Sequence, residues 1–105
     1  MGKLRWTEKA STNLRAIFDY ISRDSRVYAA RSVKALVHAT EKLQHMPRCG
    51  RIVPELGDPR FREVVFGNYR IIYRIVGTNN NVEVLAVIHG ARDVESAFRE
   101  EWDLS

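Results

Sequence analysis

The most regular alternation of apolar and polar positions falls in residues 61–89, where it predicts a three-stranded antiparallel meander. Two runs rich in β-branched and aromatic side chains, residues 61–66 and 69–76, are separated by Gly67-Asn68, a dipeptide typical of a two-residue hairpin turn. The second run presents two different faces. One face carries Tyr69, Ile71, Tyr73 and Ile75, and the other carries Arg70, Ile72, Arg74 and Val76.

The third run of the meander, residues 82–88, is apolar at nearly every position. Such a strand is predicted to lie in the middle of a sheet, with other elements covering both of its faces. It follows a polar turn at residues 77–81 and leads into a segment that contains His89 and Arg92. We therefore expect these two side chains beside Arg70, and this region is the first candidate for function.

Helical periodicity replaces the alternation in the first half of the chain. Apolar residues from Leu14 to Ile21 recur at i, i+3, i+4 and i+7, which predicts an amphipathic helix over residues 8–22. Thr7 is its expected N-cap, because a threonine hydroxyl can accept a hydrogen bond from a free N–H group of the first turn.

A second helix is predicted over residues 26–45, with Asp24 or Ser25 as its N-cap. Pro47 ends it, since a proline ring clashes with a continuing helix. The connection between the helices is so short that they form an antiparallel hairpin, whose apolar stripes can cover one face of the meander.

Three shorter segments complete the predicted fold. Residues 3–6 alternate and predict a short opening strand, residues 49–59 form an irregular link rich in turn residues, and Asp93 caps a short helix over residues 94–102. The predicted fold class is α+β. A small, mostly antiparallel sheet, made of the N-terminal strand and the meander, carries a two-helix hairpin on one face and a short C-terminal helix, all in one domain, residues 1–105.

Composition sets limits on location. The longest apolar runs fall well short of the roughly 20 residues that a membrane-spanning helix needs, and the first residues lack the apolar region of a signal peptide. The single cysteine, Cys49, excludes an internal disulfide. His38 and His45 lack neighbouring ligands at metal-binding spacing, so no metal site is predicted. We expect a cytoplasmic protein with no membrane association.

The charges are segregated along the chain. The net charge of +4 is the balance of +7 in residues 1–51 and +3 in residues 60–92 against negative charge elsewhere, including −4 in residues 93–105. A basic body indicates an anionic partner, either nucleic acid or an acidic protein segment, although an ordinary solvated surface gives the same numbers.

Several segments, in this order and spacing, resemble the RelE/ParE superfamily of toxins from type II toxin–antitoxin modules, which include plasmid stabilisation proteins. They are the helical hairpin, Pro47 followed by Gly50-Arg51, the Arg-Glu-Val of residues 62–64, residues 69–75 of the second β-run, and residues 87–93, which begin at the end of the third β-run. The resemblance implies a protein that inhibits bacterial growth, is neutralised by a cognate antitoxin, and forms a toxin–antitoxin hetero-oligomer. It implies no cofactor.

The superfamily has two mechanisms, and the resemblance leaves both open. RelE-like members are endoribonucleases that cleave messenger RNA on the ribosome and so inhibit translation. One of their arginines follows the hairpin tyrosine and another follows the last strand, positions held here by Arg70 and Arg92. A positioned guanidinium stabilises the negative charge that builds on phosphoryl oxygens during attack by a 2′-hydroxyl. These two arginines make messenger RNA cleavage the leading hypothesis.

The expected lysines and closing-helix tyrosine are replaced, since Phe61, Arg62 and Glu63 stand before the turn and Phe98 lies near the tyrosine position. His89 and Glu63 are then the remaining candidates for general acid–base chemistry. Arg62 and Arg74 are the predicted contacts to RNA.

The other members are ParE-like and poison DNA gyrase, with no known catalytic residues. They favour a histidine followed four residues later by an aspartate, as His89 and Asp93 are here. A third possibility is a non-toxic member that acts only in antitoxin and operator binding. Independently of any of these, Arg70 can serve as a structural ion pair with Glu83 or Glu55.

Overall fold

The computed structural model describes residues 2–90. Its elements in chain order are β1 (Leu4–Trp6), α1 (Glu8–Ser22), α2 (Arg26–Glu41), β2 (Arg51–Ile52), β3 (Phe61–Phe66), β4 (Tyr69–Val76) and β5 (Asn81–His89). The strands form one sheet in the order β1-β5-β4-β3-β2. All neighbouring strands are antiparallel except β1 and β5, which are parallel. The predicted α+β class, with a helical hairpin packed on a mostly antiparallel sheet, is confirmed.

Both helices begin where capping predicts. The Thr7 hydroxyl accepts a hydrogen bond from the Ala10 N–H at 3.2 Å and donates one to the Val84 carbonyl at 2.8 Å, which ties the start of α1 to β5. Ser25 is the cap of α2, accepting from the Tyr28 N–H at 3.1 Å. α2 is shorter than predicted, because a 3₁₀ turn at Lys42–Gln44 tightens the chain before Pro47.

The meander has the predicted turn and one feature that the sequence does not predict. Phe66 pairs with Tyr69 across the hairpin, and Gly67 has a φ of 57°, a conformation that glycine adopts without a steric cost. Further along, the register passes from Ile72–Ala86 to Tyr73–Val84, so Leu85 is an extra residue in β5. This is a β-bulge, which locally bends the strand.

The core lies on both faces of the sheet. On the face under the helices, Ile71 and Val84 pack with residues of α1 and α2 (Ala10, Leu36) and with Val87. On the opposite face, Ile72 and the last part of β5 pack with Phe61 and with Val53 from the segment after α2. β5 is therefore buried on both sides, and the prediction of a central two-sided strand is confirmed.

The segment of residues 49–59, which we call the link, has more structure than predicted. It contains the short strand β2, which pairs with the first half of β3, and it supplies Val53 and Leu56 to the core. We call the sheet face that it covers the link face. A single long-range hydrogen bond from the Val53 N–H to the Phe61 carbonyl, at 3.0 Å, extends the pairing.

Tyr73 fixes the course of the chain into the link. Its buried hydroxyl donates to the Pro47 carbonyl at 2.6 Å and accepts from the Gly50 N–H at 3.1 Å. A Cβ atom at Gly50 would lie 2.5 Å from the Glu63 carbonyl oxygen and 2.6 Å from the Tyr73 hydroxyl. The glycine is thus required by close approach of the backbone to β3 and β4.

Several predictions fall beyond the described residues. The C-terminal helix over residues 94–102, its cap Asp93, the candidate Arg92 and Phe98 all lie outside them. Within residues 2–90, neither helix has the length and apolar character required to cross a bilayer.

Candidate functional site

The middle strand β4 places Arg70 on the link face, where two carboxylates converge on its guanidinium. Nη1 and Nη2 donate to the two oxygens of Glu55 at 2.7 and 2.8 Å, and Nε donates to Oε1 of Glu63 at 2.7 Å. The Arg70 side chain is 9% exposed and that of Glu63 fully buried, whereas the Glu55 side chain is 31% exposed. Two predicted catalytic residues, Arg70 and Glu63, are therefore bound to each other.

Arg51 completes the arrangement. The register of β2 on β3 sets Arg51 opposite Glu63, and its Nε donates to Oε2 of that carboxylate at 2.5 Å. Both oxygens of Glu63 are then engaged, one by each arginine. We call Arg51, Glu55, Glu63 and Arg70 the charge cluster, which is electrically neutral as a group.

Hydrogen bonding between Glu55 and Arg70 keeps both side chains ionised. The hydrogen bond from Arg70 lowers the pKa of Glu55 to about 2. The same hydrogen bond raises the pKa of Arg70 above its ordinary value. Across the physiological range, neither residue gains or loses a proton.

A second ion-pair group lies where β1, β5 and β4 meet. Glu83 accepts hydrogen bonds from Arg5 and from Arg74, the latter at 2.7 Å. Burial raises the pKa of Glu83, but the hydrogen bonds from the two arginines outweigh it and the pKa falls below the ordinary value. Arg74 is thus engaged within the sheet, and its predicted contact to RNA stays a prediction.

Arg62 is bound to the backbone of the surrounding loops. Its Nε donates to the Pro59 carbonyl at 3.1 Å, and its Nη1 donates to the carbonyls of Arg48 and Gly50 at 3.3 and 3.1 Å. The guanidinium therefore connects both ends of the link to β3. Its predicted role in RNA binding is likewise not tested by this geometry.

His89 is exposed at the end of β5 and does not belong to the charge cluster. Its ring lies edge-on to that of the cross-strand neighbour Tyr69, with 6.0 Å between centroids and an interplanar angle of 79°. His89 and Arg70 therefore do not form a shared acid–base site in the described residues. The described residues end at Gly90, so the candidate Arg92 lies beyond them.

Exposed aromatic side chains gather at the end of the molecule where the helical hairpin meets the β3–β4 turn. Tyr20 is 67% exposed and Tyr28 is 62% exposed. Tyr28 and Phe66 line a groove of about 510 Å³, and Tyr20 lines a second groove of about 530 Å³, with Tyr69 shared by both. No carboxylate among the described residues lines either groove. We call these four aromatic residues the aromatic end.

Within residues 2–90, no three histidine, cysteine, aspartate or glutamate side chains are placed to hold a metal ion. Cys49 is a free, exposed thiol. What the described site offers is a neutral, mostly buried charge cluster on one sheet face and an exposed aromatic end.

Solved structures with the same fold belong to toxins of toxin–antitoxin systems. The chromosomal ParDE system from P. aeruginosa is 25% identical, covers 85% of this chain and 96% of its own, and has a TM-score of 0.71. The RelBE2 complex from Mycobacterium tuberculosis is 24% identical, with 84% and 96% covered and a TM-score of 0.61. The isolated E. coli RelE toxin is 17% identical, with 96% and 97% covered and a TM-score of 0.55.

The sequence places the chain within this class. The family model of the ParE toxin of type II toxin–antitoxin systems, parDE, matches residues 4–94. The chain belongs to the ParE toxin family, and its resemblance to the RelE/ParE superfamily is confirmed. No curated protein gives a significant match.

Sequence reasoning found some members of the site and missed others. Of the two ion-pair partners predicted for Arg70, Glu55 is present and Glu83 is not, because Glu83 pairs with Arg5 and Arg74 instead. Arg51 was missed, since its contact depends on the register of a two-residue strand. The aromatic end was missed too, although Tyr20 and Tyr28 lie off the apolar stripes of their helices, which is a signal for an exposed aromatic residue.

Proposed function

We propose that this protein is the toxin of a type II toxin–antitoxin module, neutralised by a cognate antitoxin, and that it poisons DNA gyrase in the ParE manner. Messenger RNA cleavage on the ribosome, the leading hypothesis from the sequence, becomes the alternative. One observation carries the choice: every nitrogen of the Arg70 guanidinium and both oxygens of the Glu63 carboxylate are hydrogen-bonded within the charge cluster.

A nuclease requires donor and acceptor groups that its substrate can reach. An arginine that stabilises a phosphoryl group must present free N–H donors to the substrate, and a general base must present a free oxygen. Here Nε, Nη1 and Nη2 of Arg70 all donate to carboxylates, and both oxygens of Glu63 accept from arginines. Gyrase poisoning by ParE-like toxins needs no such residues, and the family match to the ParE toxin agrees with it.

The aromatic end supports the existence of an antitoxin partner. Clustered, exposed tyrosines are enriched at protein interfaces, because they bury a large area at a low cost in side-chain entropy. Two of the solved structures, the ParDE system and the RelBE2 complex, contain toxin together with antitoxin according to their names. An acidic antitoxin segment also suits the charge of +7 in residues 1–51.

Two assays with purified toxin test the choice of target. Supercoiled plasmid is incubated with gyrase and ATP, and a translated message is incubated with ribosomes and examined by primer extension. We expect gyrase-dependent linear plasmid beside intact message, and we expect the antitoxin to abolish the formation of linear plasmid.

Cut message beside intact plasmid would reverse the proposal in favour of the ribonuclease. If neither substrate is damaged while the antitoxin still binds, the non-toxic interpretation is correct. A gyrase preparation without toxin and a toxin preparation without gyrase are the matched controls.

A further inference from the structure

The contact between Arg70 and Glu55 has the geometry of a ligand in an anion-binding site. The outer edge of the guanidinium meets the carboxylate with two parallel hydrogen bonds, Nη1 to Oε2 at 2.7 Å and Nη2 to Oε1 at 2.8 Å. This fork-to-fork arrangement is how arginine recognises carboxylates across interfaces. The inner edge of the same guanidinium is held separately by Glu63.

Glu63 and Glu55 differ in how firmly the surrounding structure holds them. Glu63 lies within β3, is fully buried and is bound by two arginines. Glu55 lies in the link, outside the paired strands, and its side chain is 31% exposed. Arg70 itself is fixed in β4, which is paired on both sides. Glu55 is therefore the member that can leave without breaking a strand.

Removal of Glu55 from this position would change the charge of the site. The charge cluster is neutral with Glu55 bound and carries one uncompensated positive charge without it. Glu55 covers the outer edge of the guanidinium, so its departure would uncover Nη1 and Nη2 as a paired set of donors for another anion. The vacant position would fit one carboxylate.

We infer that Glu55 is a built-in occupant of a carboxylate-binding site on Arg70, and that a carboxylate of an acidic antitoxin segment replaces it in the complex. This inference rests on the proposed function, because it requires a cognate antitoxin. Val65, the cross-strand neighbour of Arg70, is 57% exposed, and an apolar side chain beside the site suits a protein segment better than a nucleic-acid backbone.

The exchange is driven by competition and not by pH. Hydrogen bonding from Arg70 keeps the pKa of Glu55 at about 2, so Glu55 stays ionised wherever bacteria grow. A partner carboxylate must then compete with an internal ligand. The apparent dissociation constant of the antitoxin is its intrinsic value divided by the fraction of toxin molecules in which Glu55 has left the site.

The test compares antitoxin binding by three full-length toxins in isothermal titration calorimetry, with the product of the neighbouring reading frame as the antitoxin. Glu55→Gln removes the internal charge with little change of shape, and we expect it to bind antitoxin about tenfold more tightly than wild type. Asp58→Asn is the matched control, since Asp58 lies in the same link but pairs with the exposed Arg60. Its affinity should equal that of wild type.

Two further variants keep the result interpretable. Glu55→Gln combined with Arg70→Met should lose the gain, because the site itself is removed. If Glu55→Gln is not folded at the assay temperature, Glu55→Asp replaces it, and the shorter carboxylate should give a smaller gain in the same direction.

The outcomes distinguish a failure of this inference from a failure of the proposed function. Equal or weaker antitoxin binding by Glu55→Gln would overturn the exchange and leave the toxin assignment intact, whereas no binding by wild type would overturn both. A parallel measurement uses a fluorescent single-stranded RNA. If Glu55→Gln tightens RNA binding and not antitoxin binding, the occupant is a phosphate and the inference is wrong.

Discussion

At the scale of single residues, Arg70 shows how one side chain can satisfy both a functional and a structural interpretation. Its position after the hairpin tyrosine matches a catalytic arginine of RelE-like toxins, yet it binds two carboxylates of its own chain. A loss of toxicity on mutation would not distinguish the two roles, because removing Arg70 also leaves Glu63 buried with one partner fewer. Stability must be measured first.

We expect Arg70→Ala to lower the free energy of unfolding by about 3–5 kcal/mol, the usual cost of breaking a buried ion pair from one side. Urea unfolding measures this change. The double variant Glu63→Leu with Arg70→Met also removes the buried carboxylate. Its free energy of unfolding should therefore be closer to that of wild type than the value for Arg70→Ala. An Arg70→Ala protein as stable as wild type would show that the charge cluster does not stabilise the fold.

His89 allows a cleaner test of chemistry, because it is exposed and its described contact is the edge of Tyr69. His89→Ala should cost less than about 1 kcal/mol, in the range of an aromatic pair. If the toxin poisons gyrase, induced cells should stop growing as they do with wild type. Growth without arrest, together with a normal thermal melt, would show that His89 acts in toxicity, and the plasmid and primer-extension assays would then assign its target.

At the scale of elements, the link behaves as part of the sheet and not as a tether. It adds β2 to the edge, packs Val53 and Leu56 into the core, and is bound by the hydroxyl of Tyr73 and the guanidiniums of Arg62 and Arg70. Its attachment therefore depends on close packing at one end and on charge at the other. Each of these can be weakened separately.

The packing is tested at Gly50. Gly50→Ala would place a Cβ 2.5 Å from the Glu63 carbonyl oxygen, a distance that forces the link away from β3. We expect a loss of about 1–3 kcal/mol, as for overpacking in cores. Gly90→Ala is the control, because its Cβ would meet nothing closer than 3.4 Å. Equal thermal midpoints for the two variants would contradict the close approach.

The charge is tested by pH. The pKa of Glu55 is about 2 in the folded protein, below the ordinary value of 4.5 for a glutamate, so folding favours the ionised form. The stabilisation is present above pH 4.5 and is lost as the pH falls towards 2. Urea unfolding at several pH values should show a shallower acid decline for Glu55→Gln than for wild type. Parallel declines would show that Glu55 is not stabilised by Arg70.

At the scale of the whole molecule, the charge cluster and the aromatic end lie on different parts of the surface. The link face carries the neutral charge cluster, while the exposed aromatic end lies where the helical hairpin meets the β3–β4 turn. If the aromatic end binds antitoxin, a charge placed at one of its exposed members, Tyr20, Tyr28 or Phe66, should affect assembly without affecting the fold.

Tyr28→Asp is expected to weaken antitoxin binding by about 2 kcal/mol or more, as for an aromatic hot spot, and to leave the thermal midpoint nearly unchanged. Met46→Asp is the control, since Met46 is also exposed, at 55%, but lies outside both grooves. Pull-down with tagged antitoxin and titration calorimetry give the comparison. Equal affinities for the two variants would exclude the aromatic end from the interface.

The sequence alone determined the features that depend on neighbouring residues. Thr7 caps α1, Glu8–Ser22 is helical, Gly67-Asn68 turns the chain, and the apolar strand β5 is buried on both sides. Each of these follows from side-chain periodicity or backbone preference within a few positions. The resemblance to RelE/ParE toxins, built on such local motifs, was correct for the same reason.

The tertiary structure decided what depends on register between distant segments. The parallel pairing of β1 with β5, the bulge at Leu85 and the pairing of Arg51 with Glu63 each join positions whose alignment no local pattern fixes. A shift of one residue sends every side chain of a strand to the other face. For that reason the sequence could name Arg70 and Glu63 as candidates, and only the folded sheet could bind them to each other.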